Sequence, residues 1–274
     1  MKVIENLIYG FISGLAEFLP ISSVAHQKLL NAVFGSETVN PVRNLFVHVA
    51  IFAALYFATV QMRGKLDRAK QQLSRRRTTK KTATSAVMEY LFLRRASIPF
   101  LVVFFLLCYI VPASFNLFFI ALFLLINGVV IYLPERMLRG NKNAKVMSKF
   151  ESILIGFSGG LSAIPGLSRV GLTMSVSAMC GADQRSSANW ALLLSLPAVF
   201  ARILVDLLAV FATTGIPFWS NLLYYLLSAI FAFLGTRAGI YILRRHIRNN
   251  GCTGYAFYCW GAALFALILF LTVA

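Results

Sequence analysis

Apolar runs separated by short basic or turn-forming stretches dominate this chain, and several approach the roughly 20 residues that a bilayer-spanning helix needs. They predict crossings at about Arg43–Gln61, Ala96–Val111, Ser114–Leu133, Ser187–Phe211, Trp219–Leu243 and Gly254–Val273. Two other apolar segments behave differently. Val3–Leu19 is broken at Pro20 and resumes as a short helix over Ser22–Phe34. Ser152–Ile164 is broken at Pro165-Gly166 and resumes over Ser168–Cys180. Each piece is too short and too interrupted for a single crossing. The pattern therefore predicts two re-entrant hairpins, tolerated at membrane depth only where the bend is buried in protein or faces a watery cavity.

The two broken segments read as copies of one another. The first runs Gly10-Phe11-Ile12-Ser13-Gly14-Leu15-Ala16-Glu17-Phe18-Leu19-Pro20-Ile21-Ser22-Ser23. The second runs Gly156-Phe157-Ser158-Gly159-Gly160-Leu161-Ser162-Ala163-Ile164-Pro165-Gly166-Leu167-Ser168-Arg169. With one residue deleted before the proline they share Gly-Phe, a pair dominated by small residues, Gly-Leu and Pro-x-x-Ser. A Pro/Gly-interrupted apolar segment repeated in both halves of a membrane protein points to its binding site. Only the first copy carries a carboxylate, Glu17, and only the second a cation, Arg169, so the expected ligand is ionic.

Charge fixes the orientation. The net charge is +17, with charged residues only 13% of a chain that is 59% hydrophobic and has a mean hydropathy of +0.76. The basic residues crowd segments 62–95, 134–149 and 244–250. Lys and Arg beside apolar spans mark the cytoplasmic face, and the same loops are expected to meet anionic membrane lipids. Within segment 62–95 an amphipathic helix is expected at about Leu66–Leu73, and Thr78–Ser85 is expected to be mobile. Counting crossings puts all three basic segments on one side, and three crossings separate the hairpins, so these enter from opposite faces. The fold class is therefore all-α integral membrane protein: about six transmembrane helices plus two re-entrant helix hairpins related as an inverted-topology repeat. One membrane domain is expected over 1–274, with repeats of approximately 1–111 and 112–274 and a basic cytoplasmic loop at 62–95.

Other classes fall away. No zinc-finger spacing, RNP-like motif or aromatic-interleaved basic sheet supports nucleic-acid binding. Cys108, Cys180, Cys252 and Cys259 show neither metal spacing nor a disulfide framework. Lys2 makes a thin basic start with no convincing cleavage site after it, so the first helix is expected to be retained.

The chemistry gathers at the breaks. Proline cannot continue a helix, and a following serine caps the next one. A helix start offers spare N–H donors and a positive dipole end, which suits an anion such as phosphate. Ser22, Ser23 and His26 can share one helix face, as can Arg169 and Thr173, with Gly171 allowing close approach. A guanidinium grips phosphate oxygens as a rigid fork. The expected pocket holds Glu17, Ser22, Ser23, His26, Ser168, Arg169 and Thr173, with Gly166 at the second break. Alone, each member has a plainer role: the serines as caps, His26 as an interfacial residue, Glu17 and Arg169 as a pair joining the hairpins. Arg202 and Asp206, four apart, read as a structural ion pair; His48 and Arg237 read as helix glue or cavity lining.

At these residues the chain resembles the bacterial undecaprenyl-diphosphate phosphatases of the bacitracin-resistance type. The first signature is Glu17-Phe18-Leu19-Pro20-Ile21-Ser22-Ser23 followed by His26; the second is Pro165-Gly166-Leu167-Ser168-Arg169, ending in Thr173. The resemblance covers nearly the whole chain. It implies removal of the terminal phosphate from undecaprenyl diphosphate, giving the lipid carrier of cell-wall synthesis. It also implies catalytic roles for Glu17, Ser23, His26 and Arg169, and phosphate binding by Ser22, Gly166, Ser168, Arg169 and Thr173. The cofactor it implies is Mg²⁺ or Ca²⁺ held by Glu17, with no organic cofactor. The partner is a polyprenyl diphosphate lipid, a homodimer is left open, and the site is expected to open to the outer face of the plasma membrane. Three positions depart from the family pattern: Ser13 stands where a second acid or Gln is usual, Val24 where Thr is common, and Val170 where a serine follows the arginine. The nucleophile is left open among Ser23, His26 and water. The alternative function is a non-hydrolytic binder or flippase of polyprenyl phosphate.

Overall fold

The computed structural model describes residues 2–35, 40–75, 84–111, 116–137, 140–213, 218–249 and 251–273. Eleven α-helices are formed by the described residues: α1 (Lys2–Phe18), α2 (Ser23–Val33), α3 (Pro41–Ala58), α4 (Val60–Arg75), α5 (Ser85–Ile110), α6 (Leu117–Arg136), α7 (Lys149–Gly160), α8 (Arg169–Met179), α9 (Gln184–Ala212), α10 (Phe218–Asn249) and α11 (Thr253–Val273). A short 3₁₀ turn, Leu161–Ala163, follows α7. Six of the helices, α3, α5, α6, α9, α10 and α11, are long and apolar enough to cross a membrane. Their exposed faces carry large apolar side chains such as Phe57, Val102, Leu208, Leu264 and Leu271. That is the surface of a multi-pass, all-α membrane protein, where lipid rather than water meets the outer side chains.

Several helices outrun their apolar spans. The segment expected as a basic loop, 62–95, instead holds most of α4 and the first turns of α5. Likewise α10 continues through Arg244 and Arg245 to Asn249. Hydropathy ends where the bilayer does, but Arg, Lys, Gln and Leu are good helix formers and carry the helix onward. The amphipathic stretch expected at Leu66–Leu73 lies inside α4. The uncharged turn at Pro112-Ala113, most of the one at 213–217, and 78–83 of the stretch expected to be mobile fall outside the described residues; Ser85 opens α5.

Both broken segments are present as pairs of short helices. α1 and α2 flank a break at 19–22, and α7 and α8 flank one at 164–168. Each first member is seated by glycine against a long helix. A Cβ at Gly10 would lie 2.1 Å from the Ser228 carbonyl oxygen of α10, and one at Gly156 would lie 2.0 Å from the Ala96 carbonyl oxygen of α5. Gly10 and Gly156 are equivalent positions of the two sequence copies. Small residues let helix backbones approach in lipid, where packing rather than the hydrophobic effect drives association. α3 packs on α9 and α6 on α11, while α1 touches α8 and α6 touches both α2 and α8, which brings the two broken segments together.

Candidate active site

The two breaks are laced to each other. Ser22 caps α2, accepting the Ala25 N–H at 3.4 Å, and its Oγ also accepts the Gly166 N–H of the other break at 3.2 Å. In return Ser168 caps α8, accepting the Gly171 N–H at 3.1 Å, while its own hydroxyl donates to the Leu19 carbonyl at 3.2 Å. Asn127 of α6 joins both: its Nδ2 donates to the Pro20 carbonyl at 3.1 Å and its Oδ1 accepts the Ser168 N–H at 2.8 Å. Buried backbone polar groups must be paired, and these three side chains pair the groups that the two chain breaks set free. Asn127 had one sequence signal, an amide within an otherwise apolar span, a position that usually marks helix contact or function in lipid.

Beside this lacing, Glu17 and Arg169 meet. Arg169 Nη2 donates to Glu17 Oε1, and the Ser23 hydroxyl donates to Glu17 Oε2. Both members of the ion pair are largely buried, with side chains 3% and 11% exposed. The Nε and Nη1 of Arg169 are buried without a hydrogen-bond partner, as is the Ser162 hydroxyl. Leaving buried donors unpaired costs about 1–3 kcal/mol each. Such a cost is accepted where a ligand supplies the acceptors, and two N–H groups of one guanidinium match two oxygens of a phosphate.

Glu17, Ser23, Ser162, Ser168 and Arg169 line a cavity of about 30 Å³, together with His48 and Arg202. That space suffices for a water molecule. A larger cavity of about 250 Å³ adjoins it, sharing Val24, Ala163 and Arg202 as walls and lined further by Tyr9, Lys28, Asn44 and Asp206.

The expected residues therefore divide. Glu17, Ser23, Ser168 and Arg169 come together at the small cavity. Ser22 and Gly166 spend their polar groups on each other. Thr173 is fully buried one turn deeper and outside the cavity lining; a Cβ at Gly159 would come within 2.8 Å of its unpartnered hydroxyl oxygen. His26 is not among the residues that line the small cavity. Its Nδ1 lies 2.7 Å from the Ser22 carbonyl and its Nε2 lies 2.8 Å from the Tyr258 hydroxyl, with the two rings stacked at 5.6 Å. The imidazole thus bridges the start of its own helix, through the Ser22 carbonyl, and α11, through Tyr258. His48, read from sequence as helix glue or cavity lining, lines the small cavity, and Arg202 keeps its expected pairing with Asp206 while also reaching that wall.

The donor set does not fit a resident Mg²⁺ or Ca²⁺. Such ions take six or more oxygen ligands, mostly carboxylates, carbonyls and water. Here Glu17 is the sole carboxylate among the described residues on the wall of the small cavity, and its oxygens are engaged by a guanidinium and a hydroxyl. Ser13, one turn before Glu17, offers a buried hydroxyl with no partner rather than a second carboxylate. Among the described residues no group of three or more His, Cys, Asp or Glu could hold a metal.

Fold and site together define an integral membrane protein whose two broken helices converge on one acid–hydroxyl–guanidinium cluster. The chain belongs to the family described as bacitracin resistance protein BacA, whose sequence profile matches residues 6–265. It is 28% identical over 281 residues to the undecaprenyl-diphosphatase of Halothermothrix orenii, covering 98% of each chain. It is 28% identical over 274 residues to undecaprenyl-diphosphatase 1 of Shouchella clausii, covering 98% of this chain and 96% of that one. The undecaprenyl-diphosphatase of Methanococcus maripaludis is 25% identical over 268 residues, covering 96% of this chain and 98% of that one.

Proposed function

We propose that the chain hydrolyses undecaprenyl diphosphate to undecaprenyl phosphate and inorganic phosphate, recycling the lipid carrier for cell-wall synthesis. The observation that carries this reading is the Arg169 guanidinium, buried, paired with Glu17 on one nitrogen and unpaired on the other two. The relatives' names supply the substrate; the site supplies the means. Arg169 takes two oxygens of the terminal phosphate, and the N–H groups at the starts of α2 and α8 add fixed positive ends. Arg202, on the wall shared by both cavities, adds a second cation toward the larger one. In phosphoryl transfer such charge stabilisation and positioning supply most of the rate.

Ser23 is the nucleophile in this reading. Its hydroxyl already donates to the Glu17 carboxylate, which takes the proton as Oγ attacks the terminal phosphorus. The bridging P–O bond breaks and the lipid monophosphate leaves. The isoprenoid tail passes between apolar helices toward the lipid.

The topology that fits this chemistry has both broken pairs re-entering the membrane, with the basic segments cytoplasmic, the site opening to the outer face and the plasma membrane as host. Like packing relates α1 on α10 to α7 on α5, which favours halves of α1–α6 and α7–α11 over a division near residue 111. Anionic lipids at the basic segments belong to the same proposal.

The test is phosphate release from undecaprenyl diphosphate, or a shorter-chain isoprenoid diphosphate, by purified protein. Release that depends on Arg169 and Ser23 supports hydrolysis. Retention of lipid phosphate with no release above Ser23→Ala overturns it in favour of a binder.

A further inference from the structure

The chain has three histidines, and only His48 stands on the wall of the small cavity with Glu17, Ser23 and Arg169. His26 has both ring nitrogens engaged, and His246 bonds the Ile242 carbonyl beside the basic end of α10. His48 Nδ1 lies 2.6 Å from Asp206 Oδ2, a contact between α3 and α9. Both side chains are buried, 4% and 6% exposed, and Arg202 Nε stands 3.5 Å from the other Asp206 oxygen. An ionised carboxylate only accepts, so Nδ1 carries a proton, and in the neutral ring Nε2 keeps a lone pair. That Nε2 has no hydrogen-bond partner among the described residues. A carboxylate that fixes the tautomer of a buried imidazole, with the second nitrogen left on the wall of a reaction site, is how proteins build a general base. Gluing α3 to α9 would account for the Asp206 contact, but not for a histidine with an unpartnered Nε2 that lines the same cavity as the serine, the carboxylate and the guanidinium.

We infer that His48, held by Asp206, is the general base that activates water in the second half of the hydrolysis. The inference rests on the phosphatase reading above. After the first half, phosphate is bonded to Ser23 Oγ and the serine proton sits on Glu17. Water then attacks phosphorus: the new P–O bond forms, the P–Oγ bond breaks, and the water proton goes to His48 Nε2. Glu17 returns its proton to Ser23 Oγ, and inorganic phosphate leaves. The proton on His48 leaves to solvent through the larger cavity, so the enzyme returns to its starting state. Asp206 is a positioning residue: it orients the ring and stabilises the imidazolium.

The discriminating variant is His48→Asn, because the Asn amide nitrogen can replace Nδ1–H toward Asp206 while nothing replaces Nε2. Purified full-length protein is given undecaprenyl diphosphate, turnover is followed, and acid-quenched protein is analysed by mass spectrometry. His48→Asn is expected to lower kcat by about 10²–10⁴-fold, the usual worth of general acid–base catalysis, with little change in KM. Phosphate is expected to accumulate on Ser23 in that variant and not in the unaltered protein. Asp206→Asn should trap the same species less completely, with Asp206→Glu recovering part of the rate. Wild-type turnover by His48→Asn overturns the inference. So does slow turnover with no phosphoserine, which leaves His48 a structural role. If the unaltered protein releases no phosphate, the phosphatase reading itself has failed and the inference falls with it.

Discussion

The Ser22 hydroxyl accepts the backbone N–H of Gly166 at 3.2 Å, joining residues 144 positions apart. Both lie in the left-handed half of backbone space, Ser22 at φ 67° and Gly166 at φ 108°. Ser22 is the lone non-glycine with positive φ among the described residues. Glycine accepts that geometry freely, whereas serine holds it against a steric cost of about 1–2 kcal/mol. The hydroxyl justifies the cost by pairing both the start of α2 and the opposite break. Ser22→Ala should therefore lower stability by about 1 kcal/mol or more, since cap and cross-link go while the strain stays. Ser22→Gly should be the milder change. Gly166→Ala should be the worst, because its Cβ would sit 2.5 Å from Phe123 Cβ at an unsuitable φ. Thermal unfolding in detergent ranks the three, and an unchanged midpoint for Ser22→Ala would defeat the argument.

Arg169 is placed to act as a fork rather than a point charge. Arg169→Lys keeps a cation beside Glu17, so the fold should survive, but Lys cannot hold Glu17 and offer two aligned N–H groups to phosphate. Phosphate release is expected to fall by about 10²–10³-fold, the usual cost of losing a preorganised charge donor. Arg169→Ala strands a buried carboxylate and should also destabilise by about 3–5 kcal/mol. Steady-state kinetics on Arg169→Lys, with its unfolding midpoint measured alongside, separate the two effects. Near wild-type turnover would show that charge alone suffices.

The broken segments, the serine caps and the meeting of Glu17 with Arg169 were legible because each leaves a local mark: a proline in an apolar run, a serine after it, a charge where lipid forbids one. The copied glycines Gly10 and Gly156 were legible as a repeat but not as seats for α10 and α5, since a close approach depends on the partner helix. His26 went to Tyr258, 232 positions away, and no local pattern announces that partner. His48, Arg202 and Asp206 were visible as polar residues on apolar helices. Helix spacing tied Arg202 to Asp206, but the pairing of α3 with α9 decides which cavity they face. The helices α4 and α5 extend into the basic segment for the opposite reason: hydropathy reports the membrane boundary, whereas helix propensity is indifferent to it.

Asn127 should be the residue outside both motifs whose loss most disturbs the site. Its amide pairs the Pro20 carbonyl and the Ser168 N–H, and also donates toward Cys259 Sγ at 3.3 Å. Asn127→Leu is close in volume but leaves a buried acceptor and a buried donor unpaired, each costing about 1–3 kcal/mol. Asn127→Asp keeps an acceptor for Ser168 but sets a carboxylate against the Pro20 carbonyl. Both variants should lose stability, and residual folded protein should hydrolyse more slowly because the starts of α2 and α8 shift. Wild-type stability in Asn127→Leu would mean that the breaks hold without it.

His26 and Tyr258 should behave as one unit. In the neutral ring one nitrogen donates and the other accepts. Nδ1–H donates to the Ser22 carbonyl, which leaves Nε2 to accept the Tyr258 hydroxyl. The imidazole thus ties the strained residue at the first break to α11, and acts on the site through the position of Ser22 and its neighbour Ser23. Tyr258→Phe should reproduce part of the rate loss of His26→Ala, and the double variant should be no slower than His26→Ala alone. Their coupling in unfolding experiments should be about 1 kcal/mol, typical of one buried hydrogen bond. A contrasting result is equally readable: if His26→Ala abolishes hydrolysis while Tyr258→Phe leaves it intact, the ring must leave Tyr258 during turnover and meet the phosphate itself.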